Sequence, residues 1–123
     1  MKPLNLVLAQ PDPARADALA AALHEHVKSI SVCHNFGEVL GALPKHRADV
    51  LVIDLEMASL PQIDELRRDF RNLQIVCTHR LADEEMWTAA LAAGAVDCCH
   101  PSDVRSIVLA ANGTKVMART SAA

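Results

Sequence analysis

Tyrosine is absent from this sequence, and one Trp and two Phe are its only aromatic residues. With aromatics at 2%, the core has to be built from Leu, Val, Ile and Ala. A basic block is also missing. The 12 Lys and Arg are interspersed with 15 Asp and Glu, for a net charge of -3, which argues against a nucleic-acid partner. No apolar run approaches the roughly 20 residues of a membrane span. The opening "MKPLNLVLAQPD" lacks a signal-peptide pattern, since its apolar run is short and Gln10 and Asp12 follow at once. A cytoplasmic chain with no membrane partner is the expectation. Four cysteines sit inside apolar runs, so reduced core thiols are expected rather than disulfides. No Gly-x-Ser-x-Gly elbow, phosphate loop or Gly-rich dinucleotide turn occurs, and an enzyme is not expected.

What is present is alternation. The chain has 123 residues, 51% of them hydrophobic, which suits one domain with a sizeable core. Short apolar runs recur, each followed by a helical pattern. "LNLVLA" (4–9) precedes a helix with Ala16, Leu19, Ala20 and Leu23 on one face, opened by Asp12 as cap and Pro13 in the first turn. "SISVC" (29–33) precedes a short helix from Phe36 to Leu43, which Pro44 is expected to stop. Val50 to Asp54 precedes a helix carrying Ile63, Leu66 and Phe70. "LQIVCT" (73–78) precedes one with Met86, Ala90 and Ala93 in register and Gly94 at its end. "AVDCC" (95–99) leads to a last helix, with Ser102 read as its cap. Continuous apolar runs mark strands buried on both faces. The reading is therefore an α/β, doubly wound domain over residues 1–112, with five parallel strands and helices on both sides. Residues 113–123 read as a tail or the start of a linker.

In such a sheet, ligands collect beyond the carboxyl ends of the strands. The stretches "AQPDP", "DLEM", "THR" and "CHPS" stand there. Asp54 is the sharpest feature, an acid that ends an otherwise apolar strand. Gln10, Asp12, Thr78, His79 and His100 are its candidate neighbours.

At these residues the chain resembles the receiver domain of bacterial two-component response regulators. "RADVLVIDLEM" is similar to the phosphoacceptor strand, and Asp54 falls on the phosphoacceptor position. Thr78 falls on the hydroxyl position, and "DEEMWTAALAAGAVD" looks like the fourth helix and Gly-Ala turn. The resemblance runs from about Leu4 to Asn112. It implies a flavodoxin-like (βα)5 fold with strand order 2-1-3-4-5. It also implies phosphoryl transfer to aspartate, helped by a magnesium-holding acidic pair, the hydroxyl and a lysine.

The supporting set departs from that pattern. Gln10 and Pro11 stand where the acidic pair belongs, and magnesium favours carboxylates. Asp12 could substitute or simply cap the first helix, and Glu56 is expected to face the same pocket. That leaves Asp12, Asp54 and Glu56 as candidate magnesium ligands. His100, before Pro101, stands near the lysine position. The favoured expectation is an atypical receiver with weak or absent phosphorylation, its Asp54 partly exposed. It would act through a histidine kinase or output protein, or as a homodimer. The contact face would combine the fourth helix, fifth strand and fifth helix, with Trp87, Cys98 and Val104 as candidate interface residues. The alternatives are a conventional magnesium-dependent phosphoacceptor and a transition-metal module. The latter would join Asp54, His79 and His100 with Asp12 or Glu56, although no His-x-x-x-His or Cys-x-x-Cys spacing occurs.

Overall fold

The structure is a computed structural model, and it describes residues 4–112. The segment 113–123, read above as a tail, lies outside the described residues.

Five strands, β1 (Asn5–Ala9), β2 (Ser29–Cys33), β3 (Val50–Asp54), β4 (Gln74–Thr78) and β5 (Asp97–Cys99), form one parallel sheet in the order β2-β1-β3-β4-β5. Between and after them run α1 (Pro13–Leu23), α2 (Phe36–Lys45), α3 (Leu60–Asp69), α4 (Glu84–Ala92) and α5 (Val104–Ala111). This is the flavodoxin-like fold with the expected strand order. Every residue of β3 is buried, as its unbroken apolar run requires. No helix among the described residues is long and apolar enough to cross a membrane.

Period-two alternation divides the core in two. Val7, Leu51, Ile53, Ile75, Cys77 and Cys98 pack with Val39 and Leu43 of α2 and with Ile63, Leu66 and Ala90 of α3 and α4. Leu6, Leu8, Val50, Val52, Val76 and Cys99 face the other way, against Leu19 and Leu23 of α1 and Ile107 and Ala110 of α5. Cys98 and Cys99 thus point to opposite faces, and all four cysteines are reduced and buried.

Asp12 caps α1 as expected; the other helix starts carry caps the sequence reading did not name, and three boundaries shift. Asp12 accepts from Ala14 N with Pro13 in the first turn, and Asp83 caps α4. Ser59 and Gln62 form a reciprocal capping box at α3. Asp103, not Ser102, caps α5, because its carboxylate reaches Ser106 N while Ser102 is held by His100. Pro44 does not end α2; the helix continues to Lys45. Its fixed φ is already helical, and near the terminus its missing N–H removes a single bond. Phe70 caps α3 rather than lying within it.

Among the described residues, two adopt positive φ. Gly94, at 111°, closes α4, and a Cβ there would collide with the Arg67 side chain. Arg47, at 49°, follows α2 where glycine is the usual occupant. Its N–H donates to the Pro44 carbonyl, and Ala48 N donates to the Leu43 carbonyl, completing a Schellman closure.

Two predictions follow from these buried and strained positions. Arg47→Gly relieves the left-handed strain and is expected to raise unfolding free energy by roughly 0.5–1 kcal/mol in urea titration, glycine's entropy cost offsetting part of the gain. Burial, then the neighbouring Cys98, Asp54 and Asp97, push the Cys77 thiol well above its ordinary 9.0. Above that pH the unfolded chain gives up this proton while the folded one keeps it. Stability is fully present below pH 9.0 and falls as pH rises, by about 1.4 kcal/mol per unit. Urea titrations between pH 8 and 11 are expected to show a shallower fall in Cys77→Ala than in the parent.

Candidate functional site

The strand register assembles the site. Leu8, Val52 and Val76 form a row across β1, β3 and β4 on the face toward α1 and α5. Two residues further along, the same face carries Gln10, Asp54 and Thr78. Asp54 lies directly opposite Thr78 in register. A polar row thus caps an aliphatic one at the carboxyl edge of the sheet.

All three side chains are buried, Asp54 at 0%, Thr78 at 1% and Gln10 at 2% exposure. The expectation of a partly exposed Asp54 is therefore corrected: the carboxyl group is enclosed among Gln10, Thr78 and the Glu56 backbone, which bond it. A buried carboxylate needs donors in place of water, and Asp54 has three. Gln10 Nε2 donates to Oδ2 at 3.2 Å, Thr78 Oγ1 to the same oxygen at 2.9 Å, and Glu56 N to Oδ1 at 2.9 Å. Gln10 Oε1 in turn accepts from Asp12 N at 3.1 Å, which fixes the orientation of the amide. No buried side-chain N or O among the described residues lacks a partner.

Over this row lies a cleft of about 370 Å³, lined by Gln10, Pro11, Asp12, Arg15, Glu56 and Arg80. Glu56 does face it, and its Oε1 is ion-paired with Arg80 Nη2 at 3.0 Å. Asp12 is turned to its capping role. The candidate ligands Asp12, Asp54 and Glu56 are thus each engaged elsewhere. The donor set fits magnesium poorly, with a neutral amide and a proline where carboxylates would sit. Among the described residues no three His, Cys, Asp or Glu side chains gather to hold a metal. The transition-metal grouping is not assembled either. His79 Nδ1 accepts from Leu81 N, and exposed His100 is 2.7 Å from Ser102 Oγ. His100 lines two other clefts, and its Nδ1 is bonded to Ser102.

The candidate interface residues divide. Trp87 is half-buried, and its Nε1 donates to Asp97 Oδ1 at 2.8 Å, which docks α4 on β5. Val104 is half-buried against the α1–α5 side of the core. Cys98 is 1% exposed, so it is a core residue rather than a surface contact; its side chain packs inward from β5. His26 is half-buried, whereas His24, His34 and His46 are exposed as surface residues. Sequence reasoning missed Arg80 and the hydrogen bond from Gln10 to Asp54. The one signal available for the latter was the placement of Gln10 two residues beyond Leu8, on the same strand face.

No family model matches the chain, and no curated protein matches it. Solved structures do. A response regulator, RcsB of Salmonella typhimurium, described for its conformational dynamism in DNA interaction, superposes with a TM-score of 0.79 at 20% identity. That match covers 94% of this chain, which spans only 62% of the RcsB chain. The isolated REC domain of RcsB, with the phosphomimetic BeF3-, gives 0.78 at 19% identity over 93% of this chain and 91% of that one. A Burkholderia pseudomallei response regulator with a phosphorylated aspartic acid, calcium ion and citrate gives 0.78 at 22% identity, over 95% and 72%. At these identities the likeness establishes the fold: this chain has the architecture of a response-regulator receiver domain.

Proposed function

We propose that this chain is a receiver-like module of two-component signal transduction that works through protein–protein contacts, with phosphorylation at Asp54 weak or absent. One observation carries the reading. The Asp54 carboxylate is fully buried, and the Gln10 amide donates to the oxygen it shares with Thr78. In the resemblance, that side of the carboxylate belongs to a metal held by an acidic pair. Here a neutral, hydrogen-bonded amide occupies the first position of that pair and proline the second.

A phosphoryl group arriving at Asp54 would have to fit among these donors. It would also meet Glu56 without a lysine to neutralise it, although Arg80 partly balances that carboxylate. A carboxylate is a weak nucleophile that depends on such charge neutralisation. A histidine kinase or an output protein is the partner class, in the cytoplasm, with no catalytic role for the domain itself. The α4–β5–α5 face, stiffened by Trp87 on Asp97, is the contact surface, for such a partner or for a second copy.

A second reading keeps Asp54 as a conventional phosphoacceptor. The Thr78 Oγ1 bond to Asp54 Oδ2 favours it, since a hydroxyl stands within reach of the reacting carboxylate.

Intact mass after incubation with acetyl phosphate and magnesium separates the two. Under the favoured reading the folded protein gains no phosphoryl mass and matches an Asp54→Asn control. A phosphoryl adduct on the parent that the control lacks would establish the conventional reading instead.

A further inference from the structure

The sheet also holds a pair of adjacent buried thiols, on the face away from Asp54. Cys77 of β4 and Cys98 of β5 are register partners, and both belong to the core between the sheet and α2, α3 and α4. Neighbouring strands lie about 4.8 Å apart, inside the roughly 4.4–6.8 Å window of Cα separations that a disulfide spans. Partners in register project their Cβ atoms to the same face, and the strands have to draw together slightly for the Cβ separation of roughly 3.5–4.5 Å that a disulfide takes. The electrostatic influence of Cys98 on the Cys77 thiol is a second mark of their closeness. The other thiols are placed differently. Cys33 lies on β2, three strands from β4. Cys99 faces the opposite layer, where its thiol donates to Asp97 Oδ2 at 3.3 Å.

A cleft of about 360 Å³ borders the pair between the start of α4 and the start of α5, with Trp87, Cys98, Cys99 and His100 among its walls. Cys98 is 1% and Cys77 0% exposed, so an oxidant reaches the pair when this edge of the sheet opens.

We propose that Cys77 and Cys98 form an oxidation site that a hydroperoxide converts into a cross-strand disulfide. The Cys98 sulfur attacks a peroxide oxygen, the O–O bond breaks, and Cys98 sulfenic acid and water form from hydrogen peroxide. The Cys77 sulfur then attacks the Cys98 sulfur, the S–O bond breaks, and a second water leaves. The two thiols are oxidised by two electrons and the peroxide is reduced by two; both thiol hydrogens end in water. The bond would tie β4 to β5 one residue before Thr78, the hydroxyl that holds Asp54. Oxidation would thereby reach the Asp54 row without a phosphoryl group. The proposal stands whether or not Asp54 accepts phosphate.

The test treats the full chain, folded, with hydrogen peroxide, then blocks remaining thiols with an alkylating agent in denaturant. Tryptic cleavage after Arg80 separates "NLQIVCTHR", which holds Cys77, from the peptide ending at Arg105, which holds Cys98 and Cys99. Two of the four thiols are expected to escape alkylation, and the two peptides to appear joined until dithiothreitol is added. The link is expected to survive Cys33→Ala and Cys99→Ala and to vanish in Cys98→Ala. A parent whose four thiols all remain alkylatable, or a link that involves Cys99 or Cys33, would overturn the proposal. Fragment-ion sequencing of the parent's joined peptides assigns the link to Cys98 or Cys99 without a variant, so a poorly folding substitution does not blunt the result.

Discussion

A carboxylate taken out of water is the constraint around which this molecule is arranged. An unpaired charge in the interior costs several kcal/mol, so every oxygen of Asp54 has to find a donor. The donors come from three different places in the chain: the end of β1, the end of β4 and the turn after Asp54 itself. None of them reaches the acid unless β1, β3 and β4 are adjacent, parallel and in register. The polar row therefore rewards the strand order that the aliphatic rows beneath it already favour.

That arrangement also explains how the site differs from the one its fold suggests. Gln10 is a donor and an acceptor at once, bonded to Asp54 on one side and to the Asp12 backbone on the other. A carboxylate in its place would be repelled by Asp54 without a cation between them. The amide removes that requirement. Glu56 and Arg80 balance each other over the same edge, so the local charges are matched by protein groups.

Much of this was legible in the residues. Unbroken apolar runs marked the buried strands, and Asp12 before Pro13 marked the start of the first helix. Asp54 and Thr78 could be placed at strand ends, and their contact follows from adjacency. Burial of Asp54 could not be read, because it depends on side chains from the ends of β1 and β4 and on the turn after Asp54 meeting around it. The contact of His100 with Ser102 could not be read either, since it depends on how the loop after β5 turns. Pro44 and Ser102 were misread by a residue or two, the scale on which local propensity competes with neighbouring bonds.

The scarcity of aromatics gives Trp87 a further significance. The sequence has one Trp and no Tyr, so near-ultraviolet emission from the whole chain arises at a single indole. That indole is hydrogen-bonded to Asp97 and stands beside Cys98 in the α4–α5 cleft. The protein carries its own optical reporter on the seam between α4 and β5, blind to the rest of the fold.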